Sequence, residues 1–321
     1  MLSTDTESAM FTYGIDRDSA RLMSEKKGIE LYDLFLLANK IRNKFKGNTV
    51  DLCSIINAKS GSCPEDCSFC AQSAHSKGKT DTKTYSLLNR DEILGAAKSA
   101  KKYGAKRFCV VTSGRKPLKN ELDTICKHIY EIRKMGLLPC ATLGMLDIEE
   151  LRQLKDSGLN RYHHNLETSE AFFSEICSTH TYRDKIRTIE ASKSLGLSIC
   201  SGGIFGLGES WDDRIDMAFA LKELGVDSVP INFLTPVKGT PLDSKNLLNP
   251  LEALKIIAIF RLLLPDKEIR VCGGRPMTLR DLNSQIFLSG ADGLLIGNYL
   301  TTQGRRPEED LQMIRDMGLE I

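Results

Sequence analysis

From Val50 onward, short runs rich in β-branched residues alternate with longer stretches of helical periodicity, eight times over in one chain. The expected strands are 50–56, 107–112, 138–143, 161–166, 197–204, 228–234, 268–272 and 293–297. The expected helices are 90–103, 120–135, 147–157, 182–195, 211–224, 250–264 and 279–289. Parallel strands need a crossover to bring the chain back, so this repetition predicts an α/β fold closed as a (β/α)8 TIM barrel. Gly104, Gly136, Gly158, Gly196, Gly225 and Gly290 each follow a helical stretch, where a left-handed cap is wanted. Their even recurrence favours one barrel over two domains. The expected organisation is an N-terminal helical extension, 1–48, the barrel, 49–300, and a closing segment, 301–321.

The 44 basic and 42 acidic side chains nearly cancel, which argues against a nucleic-acid binder built on one basic face. The longest apolar stretch, 256–264, is interrupted by Arg261 and closed by Pro265, far short of the roughly 20 residues of a membrane helix. The opening MLSTDTESAM has neither a charged n-region nor an apolar h-region, so the expected compartment is the cytoplasm. Ten cysteines in a cytosolic chain are not explained by disulfides, and point to metal or redox chemistry.

Three of them, Cys63, Cys67 and Cys70, follow the first expected strand with C-x3-C-x2-C spacing and no fourth cysteine close by. Active sites of such barrels form at the C-terminal ends of strands. A structural zinc site closes four ligands, whereas three soft thiolates suit an iron-sulfur cluster with one iron left open. The run GSCPEDCSFC, with aromatic Phe69 before the last cysteine, resembles the radical S-adenosylmethionine (SAM) superfamily. That resemblance implies a [4Fe-4S] cluster whose free iron chelates SAM and whose electron releases a 5′-deoxyadenosyl radical.

Cys109, Cys140, Cys200 and Cys272 fall inside expected strands, and strand alternation puts Arg270 on the same face as Cys272. Taken singly, each is an ordinary small buried residue. Together with SGSCPEDCSFCAQS, RFCVV, ATLGML, HNLETS, CSGGIFGLGE, SVPINFL, GTPL and GADGLLIGNYLTT, they make the chain resemble the biotin synthase family from about residue 29 to residue 319. The resemblance implies sulfur insertion into dethiobiotin to form biotin, with sulfur drawn from an auxiliary iron-sulfur cluster inside the barrel. It places the ligands of that cluster on Cys109, Cys140, Cys200 and Arg270.

By the same resemblance, Phe69, Asn165, Glu167, Lys185, Gly203, Ile204 and Gly206 stand at SAM. Glu167 is suited to ribose hydroxyls as an acceptor, and the glycines to close backbone approach. Asn165 and Asn232 stand at the ureido ring of dethiobiotin, which needs a donor and an acceptor together, and Thr301 and Thr302 near its carboxylate. Reduced flavodoxin or ferredoxin as electron donor, and a homodimer, are further implications. Lys185 departs from an arginine and His163 from an asparagine of relatives; lysine offers a point charge in place of a fork. His75, His128, His164 and His180 lack metal-ligand spacing and are expected at the surface or in the core, while Cys126 and Cys177 fall in helical patterns as structural residues.

Related radical SAM barrels of the hydrogenase-maturation and methylornithine-forming types are the alternative within the enzymes. They need not carry cysteines on strands two, three and five with an arginine on strand seven. An iron-sulfur electron carrier or a zinc-stabilised binding protein is the alternative outside them. Cys272 occupies a position that is small and polar in the family, and Cys53 another. A guanidinium must lose a proton to offer a lone pair, so a thiolate is the better ligand. The expectation is an auxiliary cluster larger than [2Fe-2S], of a four-iron type, with Cys272 and Cys53 available and Arg270 a charge partner. An arginine-ligated [2Fe-2S] cluster is the alternative.

Overall fold

Every strand in the computed structural model, which describes residues 14–76 and 78–321, pairs in parallel with its neighbours. The strands are β1 Asp51–Lys59, β2 Arg107–Thr112, β3 Leu138–Thr142, β4 Arg161–His163, β5 Ser198–Cys200, β6 Gly203–Phe205, β7 Ser228–Phe233, β8 Glu268–Val271 and β9 Gly293–Leu295. Their order, β5-β4-β3-β2-β1-β9-β8-β7-β6 with β5 also on β7, closes the sheet. The nine segments occupy eight barrel positions, because β5 and β6 are two halves of one strand.

That break corrects the continuous strand expected at 197–204. The amide of Gly202 leaves the ladder to donate to Asn165 Oδ1 at 3.2 Å, and a Cβ there would stand 2.1 Å from the Pro230 carbonyl oxygen. The expected helix 279–289 is corrected too. An α-helix runs Arg275–Leu279, Arg280 takes a left-handed φ of 49° and opens a 3-10 turn to Leu282, and α-helix resumes only at Gln285–Leu288. Left-handed backbone ends an α-helix, and the Arg275 guanidinium bonding Asn283 at 2.9 Å holds the break.

The other crossover helices, Arg90–Lys102, Lys119–Lys134, Ile148–Asp156, Tyr182–Ser194, Trp211–Glu223 and Pro250–Leu263, lie within a residue or so of expectation at each end. Side chains such as Asn89, Asp147, Thr181 and Ser210 cap them by accepting from backbone amides of the first turn. The glycines at 104, 136, 158, 196, 225 and 290 all have positive φ, as caps require. Helix Pro250–Leu263 is buried along nearly its whole length, its buried Lys255 and Arg261 donating to the carbonyls of Ser24 at 2.7 Å and Gly290 at 2.8 Å. Its outer side is covered by Ile29–Lys46, which together with Arg17–Ser24 precedes the barrel. The opening decapeptide lies outside the described residues. Among those described, no helix is long and apolar enough to cross a membrane.

Alternation sorts the strand residues between two cores. Phe108 and Val110 join the large apolar core beneath the helices, while Cys109, Val111 and Cys140, with Ile55, form a small cluster inside the barrel. The parallel register sets Cys109 against Cys140, and His163 against Cys200. A glycine at 293 makes room for the neighbouring Arg270, whose Cβ and Cζ would both lie 3.2 Å from a Cβ there.

Candidate active site

The loop after β1 is shaped by two left-handed residues, Gly61 (φ 77°) and Ser62 (φ 51°). Thr84 Oγ1 would lie 2.3 Å from a Cβ at Gly61, so only glycine fits. Backbone bonds from Cys63 to Gln72 (3.0 Å), from Ala74 back to Cys63 (2.7 Å) and from Cys70 to Cys67 (2.9 Å) fold the three cysteines into a compact turn. A second loop, following the short helix Glu170–Phe173, clasps it. Asp66 accepts from the amides of Ser178 (2.9 Å) and Thr179 (3.2 Å), and Glu65 pairs with His180 Nδ1 at 2.6 Å.

Cys63, Cys67, Phe69 and Cys70 line the mouth of a cavity of about 410 Å³ that descends into the barrel. Its deeper wall carries Cys53, Cys109, Cys140, Cys200 and Cys272, one from each of five different strands or strand ends. Asn165, Glu167, Lys185, Ile204, Asn232, Arg270, Thr301 and Thr302 line the same cavity. Gly203 and Gly206 are not on that wall. Gly203 accepts from Asn232 Nδ2 at 3.1 Å, and Gly206 donates to Glu209 at 3.0 Å.

Glu167 has a φ of 75°, which costs a non-glycine residue about 1–3 kcal/mol and marks positions held for a purpose. Burial raises its carboxyl pKa, opposed by Lys185 and by the Asn165 amide at 3.3 Å. Asn165 Oδ1 also takes a bond from His163 Nε2 at 2.8 Å, a contact that sequence reasoning missed. Burial lowers the His163 imidazole to about 4, so it is neutral and can serve as that donor. Asn232 is fixed at both ends of its amide, since Oδ1 accepts from Gly273 at 2.9 Å.

Below the deep thiols lies a layer of charge. Arg161 forks onto Glu268 at 2.7 and 3.1 Å, and Arg270 donates to Asp51, through the backbone oxygen at 2.8 Å and the carboxylate, and to Glu268 at 3.3 Å. Burial pushes the Cys200 thiol up to about 12 and raises Cys53 and Cys272 as well. Cys140 is instead lowered, by its hydrogen bond with Cys109 and by Arg161, Arg107 and Arg270. Thiols this costly to ionise bare are suited to a bound cation, which deprotonates a coordinating thiol outright. Five soft donors ringing one space beside guanidiniums fit an anionic iron-sulfur cluster, and the three loop thiols fit a second one.

Two residues set aside in the sequence belong here. Cys177 is not helical. The helix ends at Phe173, and Cys177 Sγ lies 3.8 Å from Cys67 Sγ and 3.3 Å from His180 Nδ1. His180 is buried against the cysteine loop, as expected for a core residue, but among potential metal ligands. No periodicity could have found either, because their neighbours are set by the clasp between two loops.

The radical SAM superfamily pattern matches residues 59–221, and that of the Biotin and Thiamin Synthesis associated domain matches residues 230–320. The biotin synthase of Thermodesulfovibrio yellowstonii is 58% identical over 291 residues, covering 91% of each chain. That of Heliobacterium modesticaldum is 50% identical over 319 residues, 98% of this chain and 97% of the other. Among solved structures, methylornithine synthase superposes with a TM-score of 0.84 at 21% identity, covering 98% and 96% of the two chains. The FeFe-hydrogenase maturase of Carboxydothermus hydrogenoformans gives 0.80 at 17% identity, over 98% and 78%. These two likenesses concern the fold alone.

Proposed function

The chain belongs to the biotin synthase family of the radical SAM superfamily, an enzyme inserting sulfur into dethiobiotin to form biotin, and on that premise we propose which residues do it. Cys63, Cys67 and Cys70 hold the [4Fe-4S] cluster. Phe69, Asn165, Glu167, Lys185, Gly203, Ile204 and Gly206 surround SAM, with Lys185 offering charge to its carboxylate and Glu167 accepting from its ribose. Asn165 and Asn232 position the ureido ring of dethiobiotin, and Thr301 and Thr302 its carboxylate. Bound there, the loop cluster and SAM supply a radical able to open unactivated C–H bonds, and the interior cluster supplies sulfide.

Cys109, Cys140, Cys200 and Cys272 ligate the interior cluster, with Cys53 in reserve, and the cluster is of a four-iron type. The observation that carries this is the engagement of Arg270: its guanidinium is spent on Asp51 and Glu268, while the Cys272 thiol, held weakly by the Arg270 carbonyl oxygen at 3.8 Å, lines the cavity. A protonated guanidinium in two ion pairs has no lone pair for iron, but its charge offsets that of the thiolates. The walls of the cavity exclude water from the reacting carbon, and the protein's part is aim and exclusion. The chain's own patterning supports a barrel at 49–300 between an N-terminal extension and a closing segment at 301–321, and a cytoplasmic location; the family resemblance supports a homodimer and reduced flavodoxin or ferredoxin as electron donor.

Mössbauer spectra and iron analysis of anaerobically reconstituted wild type and Cys272→Ala test it. The expected result is about eight irons per wild-type chain, with a changed interior signal in the variant. About six irons and the same diiron signal in both proteins would overturn it.

A further inference from the structure

Cys67, Cys177 and His180 present ligand atoms that all lie within 4.8 Å of one another. Cys67 Sγ and Cys177 Sγ are 3.8 Å apart, and Cys177 Sγ is 3.8 Å from His180 Nε2 and 3.2 Å from Asp66 Oδ1. A tetrahedral ion with metal–sulfur bonds of about 2.3 Å and metal–nitrogen bonds of about 2.0 Å sets its ligands about 3.8 Å apart for two sulfurs and about 3.5 Å for sulfur and nitrogen. The donors of Cys67, Cys177 and His180 therefore stand close enough together to share one ion.

The surroundings are built for the same purpose. Glu65 Oε2 takes His180 Nδ1 at 2.6 Å, which fixes the ring and leaves Nε2, 3.8 Å from Cys177 Sγ, as the nitrogen for an ion, the carboxylate–histidine arrangement that orients metal-binding imidazoles. Thr179 Oγ1 bonds both Glu65 (2.6 Å) and Asp66 (3.0 Å), tying the two carboxylates together. Cys177 and His180 are buried and Cys67 half-buried, so an ion held there would be shielded from bulk water.

We propose that, when the cysteine loop carries no cluster, Cys67, Cys177 and His180 bind a single divalent transition ion, with water as its fourth ligand. A set of two thiolates and an imidazole suits zinc or ferrous iron, and the stability order favours zinc. Cys67 cannot serve this ion and the loop cluster together. Zinc therefore blocks loading of the loop cluster, a consequence that rests on the reading of Cys67 as a cluster ligand.

The first test uses the Cys63→Ser/Cys70→Ser protein, reconstituted with iron and sulfide so that the interior thiols are filled, desalted, and titrated with Co²⁺. One Co²⁺ per chain with tetrahedral d–d bands and thiolate charge-transfer absorption is expected. Adding Cys177→Ala or His180→Ala should weaken binding at least about tenfold. Retained interior iron in the same samples reports that the variants are folded. No Co²⁺ binding, or binding indifferent to Cys177 and His180, would overturn the site.

The second test reconstitutes wild type and Cys177→Ala with iron and sulfide in the presence of zinc. Zinc should lower the iron per chain in wild type and much less in Cys177→Ala. If the Co²⁺ site stands but zinc leaves wild-type iron unchanged, the exclusion fails, and with it Cys67 as a loop-cluster ligand, while the ion site itself survives.

Discussion

Arg270, on β8, reaches over β9 to donate to Asp51, the first residue of β1, through the backbone oxygen at 2.8 Å and through the carboxylate. Its side chain is all but fully buried, and so is effectively committed to that partner and to Glu268. Arginine here balances charge beneath the thiols, and it does so only with its proton on.

The consequence is testable at Arg270 itself. Arg270→Lys keeps a cation beside Asp51 and should retain the interior cluster's iron and Mössbauer signature. Arg270→Met takes the buried cation away from Asp51, leaving Glu268 to Arg161, and should lower stability by about 3 kcal/mol, seen as a reduced midpoint of denaturant unfolding. A changed interior-cluster signal in Arg270→Lys would return arginine to the ligand set.

On the proposed ligand assignment, the two depths of thiols separate radical generation from sulfur transfer. Alanine at Cys63, Cys67 or Cys70 should abolish formation of 5′-deoxyadenosine from SAM. Alanine at Cys109, Cys140 or Cys200 should leave deoxyadenosine formation in place and remove biotin. Chromatography of both products from one reaction checks the pair, and biotin at normal yield from the strand variants would mean that the interior cluster is not the sulfur source.

Strand β2 matches its expected bounds because a β-branched run closed at both ends is a local signal, and Cys109 could be assigned to the interior from alternation alone. The same is true of the C-x3-C-x2-C loop. What escaped was fixed at long range. Gly202 breaks its strand to meet Asn165, and Arg280 breaks its helix under the hold of Arg275 and Asn283. Asp51 reads as an unremarkable polar strand end until Arg270, 219 residues away, is seen on it. Cys177 and Cys67 are 110 residues apart, and no periodicity joins them.

Glu268 predicts an acid dependence of stability. Burial pushes its carboxyl up, but the Arg161 hydrogen bonds, then the charges of Arg161, Arg270 and Arg107, more than reverse this and hold it down at about 2, against an ordinary 4.5. A depressed folded pKa contributes stability that is present above the unfolded value and lost as pH falls through the folded one. The wild type should thus lose stability between about pH 4.5 and pH 2 more steeply than Glu268→Gln, which starts less stable at neutral pH. Urea midpoints measured across that range decide it, and parallel slopes for the two proteins would sink the assignment.

The closing segment is fastened by Arg275 and Asp310, a pair at 2.7 Å with both side chains wholly excluded from solvent. Removing one charge from such a pair strands the other in a medium that cannot solvate it, at a cost of about 3–5 kcal/mol. Replacing both by apolar residues strands no buried charge and leaves only the Asn283 amide oxygen without its Arg275 donor. Asp310→Leu should therefore lower the thermal midpoint markedly, and Arg275→Met/Asp310→Leu should recover much of the loss. Because helix Pro307–Asp316 closes the chain just beyond Thr301 and Thr302, Asp310→Leu should also raise KM for dethiobiotin while leaving uncoupled deoxyadenosine formation from SAM in place. A double variant no more stable than Asp310→Leu would show that shape, and not the buried charge, sets the cost.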